Sequence, residues 1–145
     1  MPASNYLEKA LLEGSLNKVN YTAPLKVFLG LTEAPILKTY TGTEMTSTYD
    51  LTYEGYARVE ITPLEWELSA GSGESTASKY VNKNAVTLKL NTNTTGKSVA
   101  KYFFLADAIT NGNVLYFGKL TEELSIVKAI TKLEIEAKKL EISAE

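Results

Sequence analysis

Asn111-Gly112, set between two apolar runs at residues 99–106 and 114–120, constrains this chain more than any other feature. A type I′ turn needs φ > 0 at both central residues, and Asn-Gly is the pair that accepts this most readily. The first run is apolar on both faces: Val99, Phe103 and Leu105 alternate with Ala100, Tyr102, Phe104 and Ala106, and only Lys101 interrupts. That pattern predicts a central strand covered on both sides. The second run carries Val114, Tyr116 and Leu120 on one face, with Leu115 and Phe117 on the other. The two runs are expected to form the hairpin at the heart of a β-sheet.

Upstream, Leu7, Ala10, Leu11 and Leu12 fall near a helical spacing. Ser4 is placed to cap a helix over residues 4–13, with Glu8 in its first turn and Gly14 as the stop. Such a helix either packs on its own subunit or docks on a partner. Residues 25–32 alternate, with Leu25, Val27, Leu29 and Leu31 on one face, and predict a strand entered from Pro24. Residues 33–53 lose the pattern, turn rich in Thr, Ser and Tyr, and read as a long loop excursion. Loops of that length inside a compact domain are uncommon and often functional.

Alternation returns at residues 56–62, where Tyr56, Arg58, Glu60 and Thr62 oppose Ala57, Val59 and Ile61. It recurs at Leu64, Trp66 and Leu68, and at Val86, Leu88 and Leu90. The run 70–75 reads as a flexible loop; it lacks the Gly-Lys-Ser/Thr ending of a phosphate loop. The C-terminal part is open between two forms. Ile126, Ile130, Leu133, Ala137 and Leu140 suit a helix, whereas Leu133, Ile135 and Ala137, then Leu140 and Ile142, suit two strands separated by a turn at Lys138-Lys139.

These elements predict one all-β domain over residues 1–145, an antiparallel β-sandwich or jelly-roll-like fold with a short N-terminal helix. An apolar fraction of 44% over 145 residues is enough for a substantial core. Net charge is −2 with signs interspersed, which argues against nucleic-acid binding. No apolar run reaches the ~18 residues of a membrane span, and residues 1–13 lack the layout of a signal peptide. The expected site of synthesis is therefore a cytoplasm.

The chain has no His and no Cys, which removes thiol chemistry, imidazole and thiolate metal sites and the usual general base. Asp50, Glu54, Glu60 and Asp107 lack the spacing of a calcium loop and read as surface carboxylates, Asp107 as a turn residue. No metal, cofactor or enzymatic activity is expected. Trp66, alternating with Glu65 and Glu67, reads as core. Asn20-Tyr21-Thr22 and Asn93-Thr94-Thr95 match the glycosylation pattern by chance.

The order of short motifs carries more. Ser4-Asn5-Tyr6-Leu7-Glu8 leads to Thr22-Ala23-Pro24 and Val27-Phe28-Leu29-Gly30-Leu31-Thr32. Gly55-Tyr56-Ala57-Arg58, Trp66 and Asn84-Ala85-Val86-Thr87-Leu88 follow. The late block is Phe104-Leu105-Ala106-Asp107-Ala108 with Asn111-Gly112-Asn113-Val114-Leu115-Tyr116-Phe117-Gly118. This succession resembles a family of short virion proteins of tailed bacteriophages that carry the label of tail fibre proteins. The resemblance implies strands at the C-terminus and carries no catalytic motif. Where many members have His, this chain has Gly30, and where many have Ala-Gly-Asp it has Ala129-Ile130-Thr131.

The expected function is a non-enzymatic structural protein of the virion. A short chain without a fibrous repeat or heptad shaft favours a capsid decoration, or cement, protein bound to the major capsid protein. The alternative is a tail fibre or baseplate component that contacts the host through a glycan- or receptor-binding module. Either role implies a homo-oligomer, such as a trimer, with no nucleic-acid or membrane partner. Tyr40, Tyr49, Tyr53 and Tyr56 are the candidate contact residues, because Tyr is enriched at interfaces.

Overall fold

The computed structural model describes residues 3–51, 56–61, 66–69, 79–89, 99–125 and 132–143. One helix, α1 (Asn5–Leu16), precedes the strands. Strand β1 (Val27–Thr32) leads into residues 33–51, which contain the helical turn α2 (Gly42–Glu44) and a wider π turn, Met45–Tyr49. Then come β2 (Val59–Ile61), β3 (Trp66–Ser69), β4 (Lys79–Asn82), β5 (Val86–Lys89), β6 (Val99–Ala106), β7 (Val114–Ser125), β8 (Lys132–Ile135) and β9 (Glu141–Ser143). They form three antiparallel sheets: β2-β1-β6-β7, β3-β4-β9 and β5-β8. The all-β class with an N-terminal helix is therefore the observed one.

The expected hairpin forms, but only its first strand is central: β6 lies between β1 and β7, and β7 is an edge of the sheet. Asn111 (φ 55°) and Gly112 (φ 72°) both take the left-handed conformation that the pair favours. The connection is wider than a two-residue turn, because β6 ends at Ala106 and β7 begins at Val114. Asp107 closes it. Its carboxylate accepts from the Asn113 backbone N–H (2.7 Å) and side-chain amide (2.9 Å), and its own N–H donates to the Asn113 carbonyl (3.2 Å). Asp107 is thus the turn residue anticipated.

Strand β6 is buried on both faces. On one, Phe103 and Leu105 join Leu29, Leu31, Leu51 and Ile61 in the main core. On the other, Phe104 and Ala106 pack with Ile36, Met45 and Val114, so the cover is the excursion itself, folded back over the sheet. The predicted parity fails at two points. Ala100 shares the core of Phe103, and Val114 packs with Phe117 rather than with Tyr116 and Leu120, because register irregularities between Ala100 and Tyr102 and between Leu105 and Ala106 shift the alternation.

Other boundaries moved. Helix α1 does begin at Ser4, whose hydroxyl accepts from Leu7 N–H (3.2 Å) and donates to the Val114 carbonyl. It runs past Gly14 to Leu16 and is closed at Asn17. Gly14 costs a helix interior only about 1 kcal/mol, too little to stop it. Leu7 is its buried residue, while Leu12 (58% exposed) and Leu16 (75%) point outward. Leu25 is 92% exposed and precedes β1 rather than belonging to it. The C-terminus takes the two-strand form, with the parity change absorbed where Lys138 adopts φ 67°. Buried Asn82 holds that turn. Its amide donates to the Asn84 (2.9 Å) and Glu136 (3.0 Å) carbonyls, its Oδ1 accepts from Leu140 N–H (2.9 Å), and its backbone carbonyl accepts from Lys138 N–H (2.8 Å).

Candidate functional site

Chemistry concentrates where the excursion meets the hairpin loop. Arg58, 3% exposed and just ahead of β2, reaches into that junction. Its Nε and Nη2 both donate to Asp50 Oδ2 at 3.2 Å. Nη1 donates to the carbonyls of Ala108 (2.9 Å) and Asn111 (3.0 Å), and Nη2 to the Gly42 carbonyl (3.1 Å) and Thr46 Oγ1 (2.8 Å). The guanidinium carbon lies 4.9 Å from the centroid of the Phe104 ring. Arginine's five fixed donors suit such a junction, which a lysine could not satisfy. A buried charge is tolerable only when paired and hydrogen-bonded, and Asp50 provides the pairing.

The backbone is drawn equally close. Gly42 N–H donates to the Gly112 carbonyl (3.1 Å), and a Cβ at Gly42 would lie 2.1 Å from the Asn111 carbonyl oxygen. Only glycine permits that approach. Thr46 Oγ1 accepts from Asn111 N–H (2.8 Å), and Asp50 bridges back to Thr32. The excursion is therefore a tied-down cover rather than a free loop.

Of the four tyrosines singled out, the structure brings two together. Tyr40 and Tyr49 stack with centroids 4.4 Å apart and planes 13° apart, half-buried on the cluster of Met45 and Phe104. Tyr53 lies outside the described residues. Tyr56 turns inward, donating to Asp50 Oδ1 (2.8 Å) and accepting from Leu31 N–H (3.2 Å). One expectation needs correction: Asp50, 7% exposed, is no surface carboxylate. The motif Gly55-Tyr56-Ala57-Arg58 contained the relevant residues, but nothing local reveals that Arg58 and Asp50 meet.

Burial and the Asp50 carboxylate hold the Tyr56 hydroxyl well above its ordinary pKa. The unfolded chain then releases this proton first, near pH ~10, so Tyr56's contribution is full below that pH and lost above it. The urea midpoint is expected to stay level up to about pH 10 and then fall. In Tyr56→Phe the alkaline slope should shrink to the part owed to Tyr21, Tyr40 and Tyr116, which are also raised. An unchanged slope in Tyr56→Phe would refute the assignment.

Among the described residues no three Asp or Glu side chains gather as metal ligands, and no helix is long and apolar enough to cross a membrane. What the junction does is mechanical: it fixes the Tyr40–Tyr49 surface on the central hairpin. The model of the family described as Podophage GP4 fiber I protein gp80 matches residues 2–143. The chain belongs to that family. Membership makes this fibre-family chain a podophage virion component, in line with the motif resemblance. No curated protein matches it.

Proposed function

We propose that this chain is a non-enzymatic structural part of a podophage tail fibre that contacts the host surface. The observation that carries the proposal is the fibre family's match over nearly the whole chain. It favours the tail over the capsid-decoration role anticipated first from a short chain without a fibrous repeat or heptad shaft. A binding rather than catalytic role is supported by the absence of His and Cys, and by the engagement of buried Asp50 with Arg58 and Tyr56. A fibre part acts as a homo-oligomer seated on other tail proteins. The outward Leu12 and Leu16 of α1 offer apolar surface of the kind self-association covers. The stacked Tyr40 and Tyr49 form a second, rigid contact patch.

Quantitative mass spectrometry of purified particles, calibrated on the major shell protein, tests this. The expected count is a small multiple of the oligomer number per particle. A count near that of the shell protein would place the chain on the head, and its absence from particles would end the virion assignment.

A further inference from the structure

A second aromatic site lies between the sheets, away from the Arg58 junction. Register builds it. Trp66 pairs with Asn82, Leu68 with Tyr80, and Tyr80 with Ile142, so Trp66, Tyr80 and Ile142 share one face of the three-stranded sheet. Leu29 pairs with Leu105 and Leu105 with Tyr116, which puts Val27, Leu105 and Tyr116 on one face of the central sheet. The two rows face each other without closing, and the cleft between them has a volume of about 220 Å³. It is lined by Val27, Trp66, Tyr80, Leu105, Tyr116 and Ile142, together with Leu115.

Three properties define what fits. Among the described residues the walls carry no charged side chain, so neither an acidic nor a basic ligand is favoured. Trp66 and Tyr116 are half-buried and Tyr80 is 50% exposed, so ring faces remain open to solvent. Each of Trp66, Tyr80 and Tyr116 joins an apolar ring to a polar tip, and being half-exposed each can offer both to a ligand. A ligand that lays apolar C–H groups on the rings and offers hydroxyls to their tips satisfies both halves of each side chain. A pyranose does this, and the cleft is smaller than the ~300–1,000 Å³ of a drug-sized site, the scale of one sugar ring.

The geometry points to a subsite for one neutral pyranose unit, stacked between Trp66 and Tyr80, with Tyr116 beside it. This deepens the host-contact reading proposed above and rests on it for its biological meaning, though not for its chemistry.

Trp66 is the chain's single tryptophan, so its emission reports on the cleft directly. The full chain is titrated with neutral hexoses and N-acetylhexosamines, as monosaccharides and short oligomers, with uronic acids and an apolar dye in parallel. A saturable emission change with at least one neutral sugar is expected. Tyr80→Ala should weaken it roughly threefold to tenfold, the loss of one stacked ring, with the thermal midpoint unchanged. No change with any neutral sugar overturns the proposal, as does a change equal in Tyr80→Ala. Response to uronic acids alone, or to the dye alone, overturns it too; the dye result would make the cleft an apolar docking groove. Particle counting separates the two readings. Tail location without an emission change removes only the sugar subsite. Sugar binding by a chain found on the head leaves the subsite standing and removes the tail assignment.

Discussion

Arg58→Met is expected to cost about 3–5 kcal/mol and to release the excursion from the hairpin. Methionine keeps most of the stem's volume, so the loss is chiefly that of the guanidinium. Asp50 would then be a buried carboxylate without its counter-charge, the costliest way to break an ion pair. The Ala108 and Asn111 carbonyls lose a donor in the same step, while the Gly42 carbonyl keeps those of Thr46 Oγ1 and Met45 N–H. Domain stabilities of ~5–15 kcal/mol leave little after such a loss. Urea unfolding measures it, and hydrogen exchange at residues 40–51 locates it. Adding Asp50→Leu to Arg58→Met should recover part of the loss, because removing both charges costs less than stranding one. A single variant within ~1 kcal/mol of the parent would show that the junction does not hold the excursion.

That junction also marks the limit of what the sequence discloses. The hairpin was legible because its signals are local: Asn111-Gly112 demands a particular backbone, and the apolar runs on either side declare their burial. The same runs required a cover on both faces of β6 without saying what provides it. The provider, residues 36–49, carries no periodicity, because Ile36, Tyr40, Met45 and Tyr49 reach the core from turns rather than from a strand or helix. Nothing in the alternation at residues 56–62 tells whether Arg58 is buried. Its burial depends on Asp50 and on three carbonyls from two distant loops, which only the assembled fold supplies. Strand β4 escaped notice for another reason: Tyr80 and Val81 are adjacent, so no alternation announces it. At the sugar-sized cleft, Trp66 read as core from its alternation, and it does pack against the core. Its partly open side borders a cleft lined from two sheets, which alternation within one strand cannot disclose.

Gly30→Val is expected to destabilise the fold by about 3 kcal/mol, although the site looks tolerant on local grounds. Gly30 has no positive φ, and replacing a glycine that has ordinary backbone geometry usually gains about 0.4–1 kcal/mol by restricting the unfolded chain. Valine also favours strands. Packing decides against both gains. Gly30 pairs with Phe104, whose ring lies across the glycine, so a Cβ would come within 2.2 Å of Cζ and 2.4 Å of Cε1. The ring has nowhere to go. It is fully buried, packed among Ile36, Met45 and Val114, with the Arg58 guanidinium 4.9 Å away. Overpacking of this kind costs ~1–3 kcal/mol, and valine's second and third carbons place it at the upper end. The displaced ring would also press on Arg58, so Gly30→Val and Arg58→Met should couple rather than add. A thermal midpoint in Gly30→Val equal to or above the parent's would mean that the Phe104 ring can swing aside, and that β1 and the excursion are less tightly joined than this packing requires.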